Sequence, residues 1–146
     1  MSYRKTSHSV YSLKYHVVWI TKYRKAVLRG EIALRLRELV KQTCAQQDVY
    51  IESGHVAKEH VHLLVSCPPN VSVSELMKRL KGRSSRILLQ EFGELSRQFW
   101  GRHLWARGYF AASSGNVTDE IIKQYIESQG QEPPTNDDDN FSIANL

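Results

Sequence analysis

The sequence predicts an α+β fold: a ferredoxin-like (split βαβ) antiparallel sheet with helices on one face, plus a further C-terminal helix. Three observations predict it. Segments of alternating apolar residues and segments of helical periodicity follow one another in the order β-α-β-β-α-β-α. The two middle strands are separated only by "AKE", a hairpin-type loop that makes them antiparallel neighbours. A chain of 146 residues, 41% of them hydrophobic, suffices for one domain with its own core.

The first strand lies in "HSVYSLKYHVVWIT". Tyr11, Leu13, Tyr15, Val17 and Trp19 fall on one face, and Ser12, Lys14 and His16 on the other. A basic connection, "KYRKAVLRG", leads to a helix from Glu31 to about Gln47, where Ile32, Leu36, Leu39 and Val40 recur at helical spacing. The second strand spans about Val49 to Val56 and the third His60 to Ser66, with Pro68 and Pro69 ending the run. Ser72 or Ser74 then suits the N-cap of a second helix, with Leu76, Leu80, Ile87 and Leu88 inward and Gly82 a point where it could loosen.

"GELSRQFWGRHLW" reads as a short irregular or helical link, and "HLWARGYFAASS" as a fourth strand. The turn "SGN" offers Gly115 as a hinge, because glycine accepts backbone angles closed to other residues. The final helix, "NVTDEIIKQYIESQ", has Asn116 or Thr118 as cap and Asp119 and Glu120 at the positive end of its dipole. Residues 131–146 are polar, acidic and proline-containing, and read as a disordered tail after a single domain of residues 1–130.

The net charge of +5 is unevenly spread. The tail carries Glu132, Asp137, Asp138 and Asp139 and no lysine or arginine, so removing its −4 leaves +9 on the body. Such a body favours a polyanion, and nucleic acid is the obvious one. Lys22, Arg24 and Lys25 follow the first strand, and Lys78, Arg79, Lys81, Arg83 and Arg86 crowd the second helix. These are the candidate phosphate contacts, with Tyr23, Trp100 and Trp105 as candidate stacking residues, although core packing suits the tryptophans better. Cys44 and Cys67 are isolated, as in a reducing compartment. The N-terminus lacks a signal-peptide core, and no apolar run approaches the roughly 18–20 residues of a membrane span. The expected setting is the cytoplasm, with no membrane partner.

Two residue patterns can carry chemistry. In "EHVHLLV", strand alternation puts His60 and His62 on one face, about 7 Å apart, with Val61, Leu63 and Val65 on the other. Two imidazoles so placed can grip one divalent ion, but the pair alone fits two exposed histidines on an open sheet face better. In "QYIESQ", Tyr125 and Gln129 stand at i and i+4 and share a helix face. Singly, each is an ordinary helix residue.

Taken together, "HVH" on a central strand and "QYIESQ" on a C-terminal helix resemble the single-tyrosine HUH transposases, the IS200-like TnpA class of small insertion sequences. "YHVVWITKYRKAVL", "LMKRLKGRSSR" and "LWARGYF" are similar to that family's first strand, second helix and fourth strand, so the resemblance covers about residues 9 to 130. It implies Tyr125 as the nucleophile on a DNA phosphodiester, His60, His62 and Gln129 as ligands of Mg2+ or Mn2+, and a 5′-phosphotyrosine intermediate. It also implies a homodimer, single-stranded DNA with hairpin ends as substrate, and Gly115 as the hinge that lets the tyrosine helix serve either subunit. Imidazole ligands by themselves point to softer metals than magnesium. Two other readings stand beside this one: a non-catalytic module that binds single strands on its sheet, and a domesticated relative acting on repeated palindromes.

Overall fold

The structure, a computed structural model, describes residues 3–99, 103–115 and 118–128. Its central sheet has four strands: β3 (Lys14–Ile20), β4 (Tyr50–Val56), β5 (His60–Ser66) and β6 (Phe110–Ser113), ordered β4-β5-β3-β6. All neighbours pair antiparallel. The parallel strands β3 and β4 are thus separated by β5, which is the split βαβ arrangement expected from the order of elements.

Alternation decides what each face of the sheet meets. Val17, Trp19, Val61, Leu63 and Val65 are 0–3% exposed and pack against α1 (Gly30–Gln46) and α2 (Val73–Glu91). Helix α1 contributes Ile32, Leu36, Leu39 and Val40, the positions that helical spacing selects. Ser72 is the N-cap of α2, its hydroxyl accepting from the Glu75 N–H at 3.1 Å. Gly82 does not interrupt α2; it is exposed, and a Cβ there would meet nothing within 4 Å. Val18 and Ile20 point to the other face and join Ile122 and Tyr125 of α4 (Asp119–Ser128) in a second, smaller cluster.

Two boundaries differ from the sequence expectation, that of the first strand and that of the fourth. The N-terminal segment forms a hairpin of its own, β1 (Arg4–Lys5) with β2 (Val10–Tyr11), so the first strand is not continuous from His8. Arg4 fastens this hairpin to the sheet: it donates to the carbonyls of Ser66 at 3.0 Å and Asp48 at 2.9 Å and lies 3.6 Å over the Tyr50 ring. The link after α2, expected to be irregular or helical, contains a short helix, α3 (Gly93–Gln98). The fourth strand begins only at Phe110; Trp105, expected within it, makes an isolated bridge to Thr21.

Candidate functional site

Register carries the geometry of the site. On β3, Val18 lies opposite His62 and Ile20 opposite His60, so these four side chains share one face. His16 occupies the same face of β3 and His55 the same face of β4, opposite His62. The second cluster, which includes Tyr125, covers that face. The tyrosine helix and the histidine pair therefore lie on the same side of the sheet, while the main core occupies the other.

The Nδ1 atom of His60 lies 2.7 Å from Oε1 of Glu59. With the carboxylate accepting the Nδ1 proton, Nε2 carries the lone pair that can face a metal. The Nε2 atom of His62 lies 3.0 Å from Nδ1 of His16, with one imidazole donating to the other and ring centroids 5.2 Å apart. His55 approaches His60, with centroids 6.2 Å apart. Glu59 and His16 were not singled out in the sequence. His16 had a usable signal, because alternation alone puts it on the face away from the helices. The Glu59 contact had none, because neighbours along a strand ordinarily point to opposite faces.

Histidine with a carboxylate on its second nitrogen is the arrangement of a metal-ligating imidazole. His60 has that arrangement through Glu59, whereas His62 has its Nε2 against His16. Among the described residues, no group of three or more His, Cys, Asp or Glu side chains converges as a metal site. Gln129, the expected third ligand, lies outside the described residues, as do Trp100 and the tail.

Tyr125 is 6% exposed and packs on Phe110, with ring centroids 5.6 Å apart. Burial holds its phenol well above the ordinary tyrosine range. Thr118 caps the helix, its hydroxyl accepting from the Ile121 N–H at 3.3 Å. Gly115, between β6 and α4, has φ +109° and nothing within 4 Å of where a Cβ would stand. A side chain there would be strained by backbone conformation rather than by space.

The basic residues fall into separate environments. Lys22, Lys81 and Arg86 line an open cleft of about 1320 Å³, together with His103 and Arg107. Lys81 donates to the carbonyls of Ala106 at 2.8 Å and Gly108 at 2.7 Å, and its burial lowers the ammonium pKa. Arg83 ties α2 to α1 through Thr43 Oγ1 at 3.1 Å and Gln42 Oε1 at 2.9 Å. Arg79 pairs with Glu75 one turn away at 3.0 Å, and Lys78 is exposed. Arg24 donates to the carbonyl of Glu127 at 3.1 Å. Trp105 is a core residue: its indole N–H donates to Ser84 Oγ at 2.9 Å, and its ring meets Trp19 edge-on. Tyr23 is 68% exposed.

Residues 9–129 match the family model described as "Transposase IS200 like". The chain is 37% identical over 120 residues to the ISDra2 transposase TnpA of Deinococcus radiodurans, an alignment covering 82% of this chain and 86% of the relative. It is 33% identical over 129 residues to the transposase for insertion sequence element IS200 of Salmonella typhimurium, covering 88% of this chain and 84% of the relative. A crystal structure of a candidate transposase from Deinococcus radiodurans R1 superposes with a TM-score of 0.80 at 34% identity, covering 86% of this chain and 97% of that one. A REP-associated tyrosine transposase bound to a REP hairpin shares the fold alone, with a TM-score of 0.55 at 12% identity over 84% of this chain and 69% of that one.

Proposed function

The chain belongs to the IS200-like transposase family, and on that premise we propose that it cleaves and rejoins single-stranded DNA at insertion-sequence ends with Tyr125 as the nucleophile. The observation that carries this reading is the placement of the Tyr125 helix on the sheet face that bears His60 and His62. The helix could have packed with α1 and α2 on the other face, where tyrosine and histidines would be separated by the sheet.

In the proposed step the Tyr125 oxygen bonds to the scissile phosphorus, the P–O3′ bond breaks, and the phenolic proton is released. The departing 3′-oxygen takes up a proton and leaves as a hydroxyl. The resulting 5′-phosphotyrosine keeps a phosphodiester bond, so a second 3′-hydroxyl can displace the tyrosine and rejoin the strand without a nucleotide cofactor. His60 and His62 would hold Mg2+ or Mn2+ with Gln129, and the ion when bound would neutralise the phosphate oxygens and orient them for in-line attack. Glu59 and His16 act through the ligands by fixing ring tautomer and direction.

In the seat described here Tyr125 is buried and its phenol is held neutral, a resting arrangement. A turn hinged at Gly115 would carry α4 out of this seat toward a DNA strand, in the same subunit or in the partner of a homodimer. Lys22, Lys78 and Arg86, with Arg79 at the surface, supply positive charge for a DNA hairpin and its adjoining single strand.

The test is a denaturing gel after incubation with hairpin-tipped single-stranded DNA and Mn2+. Wild-type protein forms a covalent adduct, whereas Tyr125→Phe binds the hairpin equally well and forms none. An adduct of undiminished yield in that variant rules out the nucleophile assignment.

A further inference from the structure

The first strand of the sheet leaves through a turn, Thr21–Lys25, that no hydrophobic pattern accounts for. Two consecutive non-glycine residues in it, Tyr23 and Arg24, have φ of +62° and +53°. L residues rarely adopt that region, and they keep it only where surrounding contacts hold it. Those contacts are present. Thr21 is fully buried; its N–H donates to the Glu59 carbonyl at 2.9 Å and its hydroxyl to the Lys25 carbonyl at 2.8 Å. Lys25 Nζ donates to the Gln98 carbonyl at 3.0 Å.

With the turn in this shape, Nη1 of Arg24 reaches the carbonyl of Glu127 at 3.1 Å, in the last turn of α4. Carbonyls there lack intrahelical partners and form the negative end of the helix dipole, so a guanidinium is favoured on both counts. Glu127 stands two residues after Tyr125 and two before Gln129. Glu59, which Thr21 holds, is the residue that orients His60. One strained turn thus grips the start of the histidine strand through Thr21 and the end of the tyrosine helix through Arg24.

We infer that Arg24 is a positioning residue, which fixes the tyrosine helix against the histidine strand before DNA arrives. The functional meaning rests on the reading of Tyr125 and His60 as the reacting groups; the contact itself does not.

Hydrogen exchange on the DNA-free protein tests it. Arg24→Asn tolerates the left-handed backbone but cannot reach Glu127. In this variant the α4 amides should exchange about three- to tenfold faster, and Tyr125 should be nitrated by tetranitromethane faster by a similar factor. The β3 and β5 amides should keep their protection. Arg24→Lys, which keeps the charge but not the fork, should fall between the two. Wild-type α4 exchange and nitration in Arg24→Asn would overturn the inference. If those readouts are unchanged while a labelled DNA hairpin with a single-stranded extension binds more weakly, Arg24 is a phosphate contact instead. Should Arg24→Asn also lose β3 and β5 protection, Arg24→Lys is judged by the same criteria. Failure of the nucleophile reading shows separately, as an undiminished adduct in Tyr125→Phe, and leaves the exchange result standing.

Discussion

The ring of Tyr125 rests on that of Phe110, centroids 5.6 Å apart and planes inclined by 49°. Phe110 is the register partner of Val18, and Val18 that of His62. A path of three packed or paired links, through Phe110 and Val18, thus joins the tyrosine helix to the histidine strand. The smaller of the two cores seats Tyr125 on the sheet face that also bears His60 and His62.

Truncating the middle of that path should loosen the helix more than the sheet. Phe110 is only half-buried, so Phe110→Ala should cost about 2 kcal/mol, less than a fully buried phenylalanine. Local opening of α4 should rise while β5 stays protected, as read by native-state hydrogen exchange.

Alkaline stability should report the Tyr125 seat. Burial raises the folded phenol above the ordinary value near 10, so the unfolded chain releases its proton first. The stability from the neutral buried phenol is fully present below about pH 10 and is lost as pH climbs toward the raised folded value. Urea unfolding at about pH 8 and 11 should show a fall in wild type that is smaller in Tyr125→Phe. Equal falls in both proteins would mean that other groups set the alkaline limb.

Glu59→Gln should separate metal affinity from folding. The substitution keeps shape but weakens the charge-assisted bond to His60 Nδ1. Mn2+ affinity measured by calorimetry or electron paramagnetic resonance should drop about 10- to 100-fold, with thermal stability nearly unchanged. Chelation of the metal from wild-type protein should abolish the covalent adduct while leaving hairpin binding in place.

The cations of α2 should divide by environment. Lys81→Met removes a half-buried donor from two carbonyls and should destabilise by about 1–3 kcal/mol. Lys78→Ala, at an exposed position, should change stability by less than about 0.5 kcal/mol. It should instead lower the slope of log K against log salt for DNA binding by about 1. Denaturant melts and salt titrations check the pair.

Sequence alone determined the split βαβ order, the apolar face of β3 and of β5, and the placement of His60 and His62 on the face away from Val61, Leu63 and Val65. Those are consequences of periods of 2 and 3.6, which depend only on local backbone geometry. The i, i+4 spacing of Tyr125 and Gln129 is local in the same way, although Gln129 lies outside the described residues. Tertiary structure alone decided that α4 covers the histidine face, that His16 meets His62, and that Arg24 reaches Glu127. It also decided that Lys81 and Arg83 spend their charge on carbonyls and side chains inside the protein. The physical reason is reach: a long flexible side chain bonds whatever unsatisfied group the packed elements bring near it, across 103 residues for Arg24 and Glu127, and no periodicity in the chain encodes that partner.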